Sequence, residues 1–257
     1  MPFVEAGSAR LYYREFGAGA PLVFLHGGWG FEVYPFDAAI SELGEQFRIL
    51  IPDRSGYGRS PKLDSLPQDF HSRAAEETLR FLDALEIERA TLWGHSDGAV
   101  IAALAGLTAP RRCQGLILEA LHYTRAKRGS LEFFRAMISD PRFVGRRVAE
   151  ALTRDHGGEW QKVLERNATA WIEIVQSGQG DLYDGRLSQL LVPALFIDGS
   201  RDPRIEPGDP EAIRRELPQA DFRVIDGAGH SPHSEPGSAS ECVRIAAAWL
   251  RQNERRI

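Results

Sequence analysis

Ala90-Thr91-Leu92-Trp93-Gly94-His95-Ser96-Asp97-Gly98-Ala99-Val100-Ile101-Ala102-Ala103-Leu104 passes from a short apolar run, through two glycines that bracket a serine, into a longer apolar stretch. A strand, a tight turn at Gly94-His95-Ser96-Asp97-Gly98 and a helix account for all three parts. In that setting G-x-S-x-G has a mechanical meaning. The sharp turn forces the serine into strained backbone geometry and holds its hydroxyl above the sheet. The glycines let strand and helix approach closely, and the helix start favours negative charge beside the serine. An ordinary strand-to-helix turn with Ser96 as a helix cap competes with this view, so the partners of the serine decide.

Working outward, the same alternation repeats. Leu22-Val23-Phe24-Leu25 runs into His26-Gly27-Gly28, Phe47-Arg48-Ile49-Leu50-Ile51-Pro52 into Asp53, and Gly115-Leu116-Ile117-Leu118 into Glu119. Runs this continuously apolar suit parallel strands, which are covered on both faces. Between Phe70 and Leu85, Leu79, Leu82 and Leu85 recur at three-residue steps among charges and predict a helix. Strand and helix in alternation predict an α/β fold, a mostly parallel twisted sheet flanked by helices. The rhythm stops at Glu119. From His122 to about Leu190 the chain reads as helices, with Phe133, Phe134, Met137, Trp160 and Trp171 set among charges. It resumes with Ala194–Ile197 and Asp221–Ile225, and a last helix carries Val243, Ala246, Ala247 and Leu250. The expected organisation is a core of 1–121 and 191–257 interrupted by a helical cap over 122–190.

The 257 residues, 36 acidic against 31 basic for a formal charge of −5, suffice for one α/β domain with a full core. The acidic balance argues against nucleic acid as a partner. The longest apolar run, Ala99 to Leu107, is too short to span a bilayer, so no membrane role is expected. Met1-Pro2-Phe3-Val4-Glu5 lacks the basic start and apolar stretch of a signal peptide. Cys113 and Cys242 are too few for a disulfide framework and are expected as buried free thiols in a reducing compartment. A cytoplasmic protein acting on a small molecule, as monomer or homodimer, is the expectation. No cofactor or metal is called for. H-E-x-x-H and G-x-x-x-x-G-K-S/T are absent, and Asp53-Arg54-Ser55-Gly56-Tyr57-Gly58-Arg59-Ser60 fails the dinucleotide pattern because Pro61 occupies the third glycine position.

A serine hydroxyl becomes a nucleophile when a histidine takes its proton and an acid orients that histidine. Both partner types follow Ser96 where loops leave the carboxyl ends of strands, the usual place for active sites in open α/β sheets. Asp198-Gly199-Ser200-Arg201-Asp202-Pro203 offers Asp198 or Asp202 as the acid. Asp226-Gly227-Ala228-Gly229-His230-Ser231-Pro232-His233 offers His230 or His233 as the base, the competing role for His233 being a solvated surface residue. The same two histidines with neighbouring carboxylates are the one place where a metal could be imagined.

These motifs, in this order, resemble the α/β-hydrolase superfamily over essentially the whole chain, with a cap inserted after the sixth strand. The resemblance implies Ser96 as nucleophile, Asp202 as acid and His230 as base. It also implies that His26-Gly27-Gly28-Trp29-Gly30 is an oxyanion loop, with the amides of Gly28 and Asp97 as donors and Trp29 as the alternative to Gly28. His26 would brace that loop, His95 would pack beneath the elbow, and Asp53–Ser60 would be architecture. Within the superfamily, Gly-x-Ser-Asp-Gly, the two-glycine loop and the modest cap are most similar to valacyclovirase-like carboxylesterases. That similarity implies Asp97 as the acceptor of a substrate α-amino group; the competing role is a carboxylate in a first helical turn that touches no substrate. Trp171 and Tyr123 are the cap aromatics expected at the pocket. The implied activity is cleavage of a small carboxylic ester through an acyl-enzyme. Lactone or carbon–carbon bond hydrolysis, cofactor-free perhydrolysis, and a ligand receptor that retains the triad share the same motifs.

Overall fold

Side-chain parity divides the apolar runs between two faces of one sheet. In Ala20–Leu25, Val23 and Leu25 join one buried cluster while Leu22 and Phe24 join another. Phe47–Pro52 does the same with Leu50 against Ile49 and Ile51. Strands of this kind read as continuous hydrophobic runs because each face meets its own helical layer. The structure is a computed structural model and describes residues 3–254. The first two and last three residues of the ranges 1–121 and 191–257, Met1-Pro2 among them, lie outside the described residues.

The strands are β1 (Phe3–Ala6), β2 (Ala9–Phe16), β3 (Ala20–Leu25), β4 (Phe47–Pro52), β5 (Ala90–His95), β6 (Cys113–Glu119), β7 (Ala194–Gly199) and β8 (Asp221–Ile225). They form one eight-stranded sheet in the order β1-β2-β4-β3-β5-β6-β7-β8. β2 is antiparallel to both its neighbours, and every pair from β4 to β8 is parallel. The hairpin β1–β2 escapes the sequence patterns. Next to the edge strand β1, β2 buries little beyond Leu11 and Tyr12, and Arg10, Arg14 and Glu15 break any apolar run.

α1 (Asp37–Leu43) and α8 (Ala239–Glu254) cover one face; α2 (Phe70–Ala84) and α3 (Asp97–Thr108) cover the other. Val243, Ala246, Ala247 and Leu250 of α8 are all buried, as the spacing predicts. In α2 the buried stripe is His71, Ala75, Thr78 and Leu82, with Phe70 and Phe81 alongside, whereas Leu79 and Leu85 are only partly covered. Three-residue steps fall short of a full turn and drift off the face; alternating four- and three-residue steps keep to it. Both cysteines are buried and free. No helix among the described residues is long and apolar enough to cross a membrane.

Between β6 and β7 the chain carries α4 (Leu131–Ser139), α5 (Arg146–His156) and α6 (Trp160–Ser177), with one isolated bridge, Thr124 to Asp181. Phe134 stacks on Trp171 at 5.6 Å and joins α4 to α6. Polar ties fasten this segment to loops at the carboxyl edge of the sheet. Arg166 Nη2 donates to Gly56 O at 2.5 Å, and His156 accepts from the Gly58 amide at 3.1 Å and donates to Trp29 O at 2.9 Å. α7 (Asp209–Glu216) separates β7 from β8.

Candidate active site

The turn after β5 is as tight as its glycines imply. Ser96 has φ 55° and ψ −119°, a conformation a non-glycine residue holds only when its surroundings enforce it. A Cβ on Gly94 would lie 2.0 Å from Gly98 O, and one on Gly98 would lie 2.0 Å from Leu25 O. Both glycines are therefore needed for backbone to cross backbone at this point.

Ser96 sits between two imidazoles. Its Oγ lies 3.0 Å from His230 Nε2, and His230 Nδ1 lies 2.8 Å from Asp202 Oδ2. With Nδ1–H donating to the carboxylate, Nε2 is left free to accept the serine proton. Burial opposes the charge on Asp202, but the bond and charge of His230 and the Arg204 amide at 2.7 Å hold its carboxyl below the usual range. Asp198 stands apart from His230. Its carboxyl is pushed up to about 7 by burial and by repulsion from Asp202.

His233 is not a surface residue, which corrects the solvated alternative. It is fully buried, bonded through Nδ1 to Glu119 at 2.8 Å and through Nε2 to Tyr34 O at 3.0 Å. Glu119 also accepts from the His233 amide at 2.9 Å and from Trp93 Nε1 at 3.0 Å, so this carboxylate ties the ends of β5 and β6 to the loop that bears His230. His95 lies beneath that loop, its Nε2 within 3.0 Å of His230 O and 2.9 Å of Ser231 Oγ. Burial drives its pKa down to about 3, so it stays neutral.

The amides of Gly28, Trp29 and Asp97 donate to no protein acceptor among the described residues. Arg54 fixes the loop that carries the first two. Its Nη2 donates to Gly27 O at 2.8 Å and His26 O at 3.1 Å, and its own amide donates to His26 Nε2 at 3.3 Å. The segment Asp53–Ser60 thus acts as architecture, with Arg54 bracing the loop that carries the amides.

Two features of the site carry no sequence motif. His122, just beyond β6, is buried and places Nε2 3.2 Å from Ser96 Oγ, with its ring parallel to His230 at 5.7 Å. Burial and the charge of Lys127 hold its pKa well below the ordinary value, so it is neutral; with the Ser96 hydroxyl proton directed to His230 Nε2, the tautomer protonated at Nε2 lets His122 donate to the serine oxygen. The one available signal was position, a polar side chain three residues past a strand's carboxyl end. The second feature is a cage around Asp97. His71 Nε2 at 3.2 Å and Trp171 Nε1 at 3.0 Å donate to Oδ1, and Asn167 Nδ2 at 2.9 Å donates to Oδ2. Burial is the largest single influence and disfavours the carboxylate, but the His71 bond and charge, the Arg54 charge and the Asn167 bond together outweigh it and hold the pKa at about 2. Burial also keeps His71 below its ordinary value, so the pair is a carboxylate with a neutral imidazole.

A cavity of about 230 Å³ opens beside Ser96. Gly28, Trp29, Asp97 and Trp171 line it, together with Phe133 and Phe134 of α4. Tyr123 does not line it. Its hydroxyl is bonded to the Glu216 carboxylate of α7, which turns the ring away from the cavity. Among the described residues, no group of three or more His, Cys, Asp or Glu is placed to hold a metal ion.

Known proteins give the site its context. The model of the alpha/beta hydrolase family matches residues 22–240. A protein of Azorhizobium caulinodans that carries the name carbamate hydrolase RutD is 33% identical, across 90% of this chain and 92% of its own. The pimeloyl-acyl-carrier-protein methyl ester esterase of Pectobacterium carotovorum is 28% identical, across 91% and 97%. The human serine hydrolase BPHL is 23% identical, across 96% and 85%.

Proposed function

The chain belongs to the alpha/beta hydrolase family and is a hydrolase of that family, and on that premise we propose that it cleaves a small carboxylic ester through an acyl-enzyme on Ser96. The observation that carries this reading is the continuous hydrogen-bonded line from Asp202 through His230 to Ser96, beside amides that have no protein acceptor. In the first half-reaction Ser96 Oγ attacks the ester carbonyl while His230 Nε2 takes its proton. Asp202 holds the imidazole tautomer and stabilises the imidazolium. The carbonyl oxygen, now an oxyanion, is received by the amides of Gly28 and Asp97, a site where one lost donor typically costs about 3–4 kcal/mol. His230 returns the proton to the departing alcohol. Water then enters by the same route and releases the acid. His122 donates to Ser96 Oγ from the other side and keeps the oxygen aimed at the carbonyl. The segment 122–190 acts as the cap that walls the cavity, and the two buried thiols suit a cytoplasmic setting.

A fluorophosphonate probe combined with a panel of short methyl and p-nitrophenyl esters tests the reading. Wild type labels rapidly and turns over repeatedly, and Ser96→Ala loses several orders of magnitude while remaining folded. A rate in Ser96→Ala within about tenfold of wild type contradicts the nucleophile, since triad members act as a unit. Saturable binding without turnover points to a receptor, and turnover confined to lactones or diketones to another reaction of the fold.

The Asp97 carboxylate favours a second, narrower reading, cleavage of α-amino acid esters. Its three donors are uncharged, so the negative charge beside the cavity lacks a hydrogen-bonded cation. A substrate ammonium group would supply one. Free α-amino esters should outrun their N-acetyl counterparts in wild type, and Asp97→Asn should abolish the difference. Equal rates in wild type reject amine recognition.

A further inference from the structure

A second charged group lines the cavity, and the acyl-enzyme mechanism has no use for it. Arg204 lies two residues beyond Asp202, and its backbone is held at both ends. Its amide donates to Asp202 Oδ1 at 2.7 Å, and its carbonyl accepts from the buried Lys127 Nζ at 2.6 Å. The side chain lies flat on Phe133, with the guanidinium carbon 3.5 Å from the ring centroid. Yet the guanidinium makes no hydrogen bond and no ion pair with any described residue, and its Nη1 is buried without a partner. Tyr34 faces the same cavity, stacked on Trp29 at 6.0 Å, and its hydroxyl has no hydrogen-bond partner among the described residues. Burial raises the pKa of that phenol, and Arg204 is near enough to oppose the rise. Tyr34 therefore keeps its proton and can donate it in a hydrogen bond.

Arg204 is partly buried, and a buried N–H group left without a partner, as its Nη1 is, is costly unless something completes it. A planar fork of N–H donors matches a carboxylate in a way that a point charge does not. We propose that Arg204 and Tyr34 form an anion subsite that takes a carboxylate on the substrate, so that the preferred esters carry a free carboxyl group. Monoesters of short dicarboxylic acids are the simplest members of that class, and the small cavity favours them over long chains. The inference rests on the ester-hydrolase reading and adds to it a class of substrate.

The test sets monomethyl glutarate against methyl glutaramate, which differ only in carboxylate against carboxamide, with the succinate and adipate homologues alongside. The readout is the ratio of kcat/KM for each pair within one variant, so general damage to the enzyme cancels. Wild type should favour the carboxylate by about tenfold or more at one chain length, as a charge-assisted pair does. The ratio should fall close to one in Arg204→Gln, remain intermediate in Arg204→Lys, and drop part of the way in Tyr34→Phe. Calorimetry with glutarate and glutaramate reads the same preference without turnover. Should wild type bind glutarate selectively through Arg204 but hydrolyse none of the esters, the subsite stands and the ester reading falls. Hydrolysis of acid and amide at equal rates at every length overturns the subsite and leaves the ester reading intact. A preference that survives Arg204→Gln also overturns it.

Discussion

Gly28→Ala adds one methyl group at the point where the loop after β3, which we propose holds the oxyanion, meets the Asp97 cage. The new Cβ would lie 2.6 Å from Asn167 Nδ2, 2.7 Å from Asp97 Oδ2 and 2.8 Å from Asn167 Oδ1. Real Cβ atoms keep about 3.4 Å or more from such neighbours, so something must retreat by roughly 0.6–0.8 Å. Two retreats are available. If Asn167 moves, it leaves its 2.9 Å bond to Asp97, and the cost is stability, about 1–3 kcal/mol for an overpacked and partly unbonded site. If the loop moves, the Gly28 amide leaves the oxyanion position, and the cost is rate, about a hundredfold to a thousandfold. The cage decides between them. Asp97 is 1% exposed and held by three donors, and Asn167 is 3% exposed on α6, so the loop is the softer side. The expected result for Gly28→Ala is a fall in kcat/KM of about two orders of magnitude with a small change in melting temperature. Asn167→Ala removes two of the three close contacts and frees Asp97 Oδ2, the third, from one of its donors, so the double variant should recover part of the rate that Gly28→Ala loses. The assay is a double-mutant cycle on kcat/KM and unfolding free energy, which isolates the coupling between the two positions. Wild-type activity in Gly28→Ala, or no recovery in the double variant, would refute the placement of the Gly28 amide.

His122→Gln should lower kcat/KM by about tenfold, the scale of one lost hydrogen bond to a reacting oxygen, without moving the pH midpoint of activity, because His122 is neutral throughout. A shifted midpoint would make His122 a titrating partner in the reaction. Arg54→Met removes the donors to His26 O and Gly27 O and should reduce kcat by about ten- to a hundredfold with KM little changed; an unaltered kcat would show that the loop is rigid without its brace. The folded state raises the Asp198 pKa from 3.8 to about 7 and so binds the proton more tightly than the unfolded chain does; stability is lost as pH rises through that interval. Asp198→Asn should therefore be more stable than wild type at pH 8, by roughly 1–2 kcal/mol after discounting for partial exposure, with the gain vanishing near pH 4 in urea titrations. A gain that is the same at both pH values would assign it to packing.

How much could be read beforehand follows from how each feature is encoded. The inner strands β3, β5 and β7 announce themselves because burial on both faces leaves an apolar run, whereas β8 at the edge is largely exposed. The turn at Ser96 is legible because two crossing backbones demand glycine at fixed spacing. The spacing also places Asp202 and His230 at strand ends, where the structure brings them within hydrogen-bond reach of one another and of Ser96. Features made by long-range side-chain encounters leave no such trace. Nothing near Asp97 in the chain foretells that His71, Asn167 and Trp171 converge on it, because the three come from α2 and α6. Tyr123 was drawn toward the cavity by its chemistry, but Glu216, 93 residues away, holds it elsewhere. His233 looked like a solvated histidine because Glu119 comes from a strand 114 residues earlier.

Glu119 also bears on engineering. The carboxylate stitches the ends of β5 and β6 to the base loop from inside the core, and Arg54 steadies the opposite side from its own loop. Neither fastening involves a residue between 122 and 190. Walls and machinery therefore meet at few points, His122 beside Ser96 and the Asp97 donors Asn167 and Trp171. An insertion borrowed from another protein could be spliced in between the end of β6 and the start of β7 to change what the cavity admits, while the distances among Ser96, His230 and Asp202 are kept by parts that never left. The splice has three conditions: the graft must keep a donor in the place of His122 beside Ser96 Oγ, it must bring a cation to replace Lys127 on the Arg204 carbonyl, and it must keep donors for the Asp97 carboxylate, which would otherwise be left buried and bare.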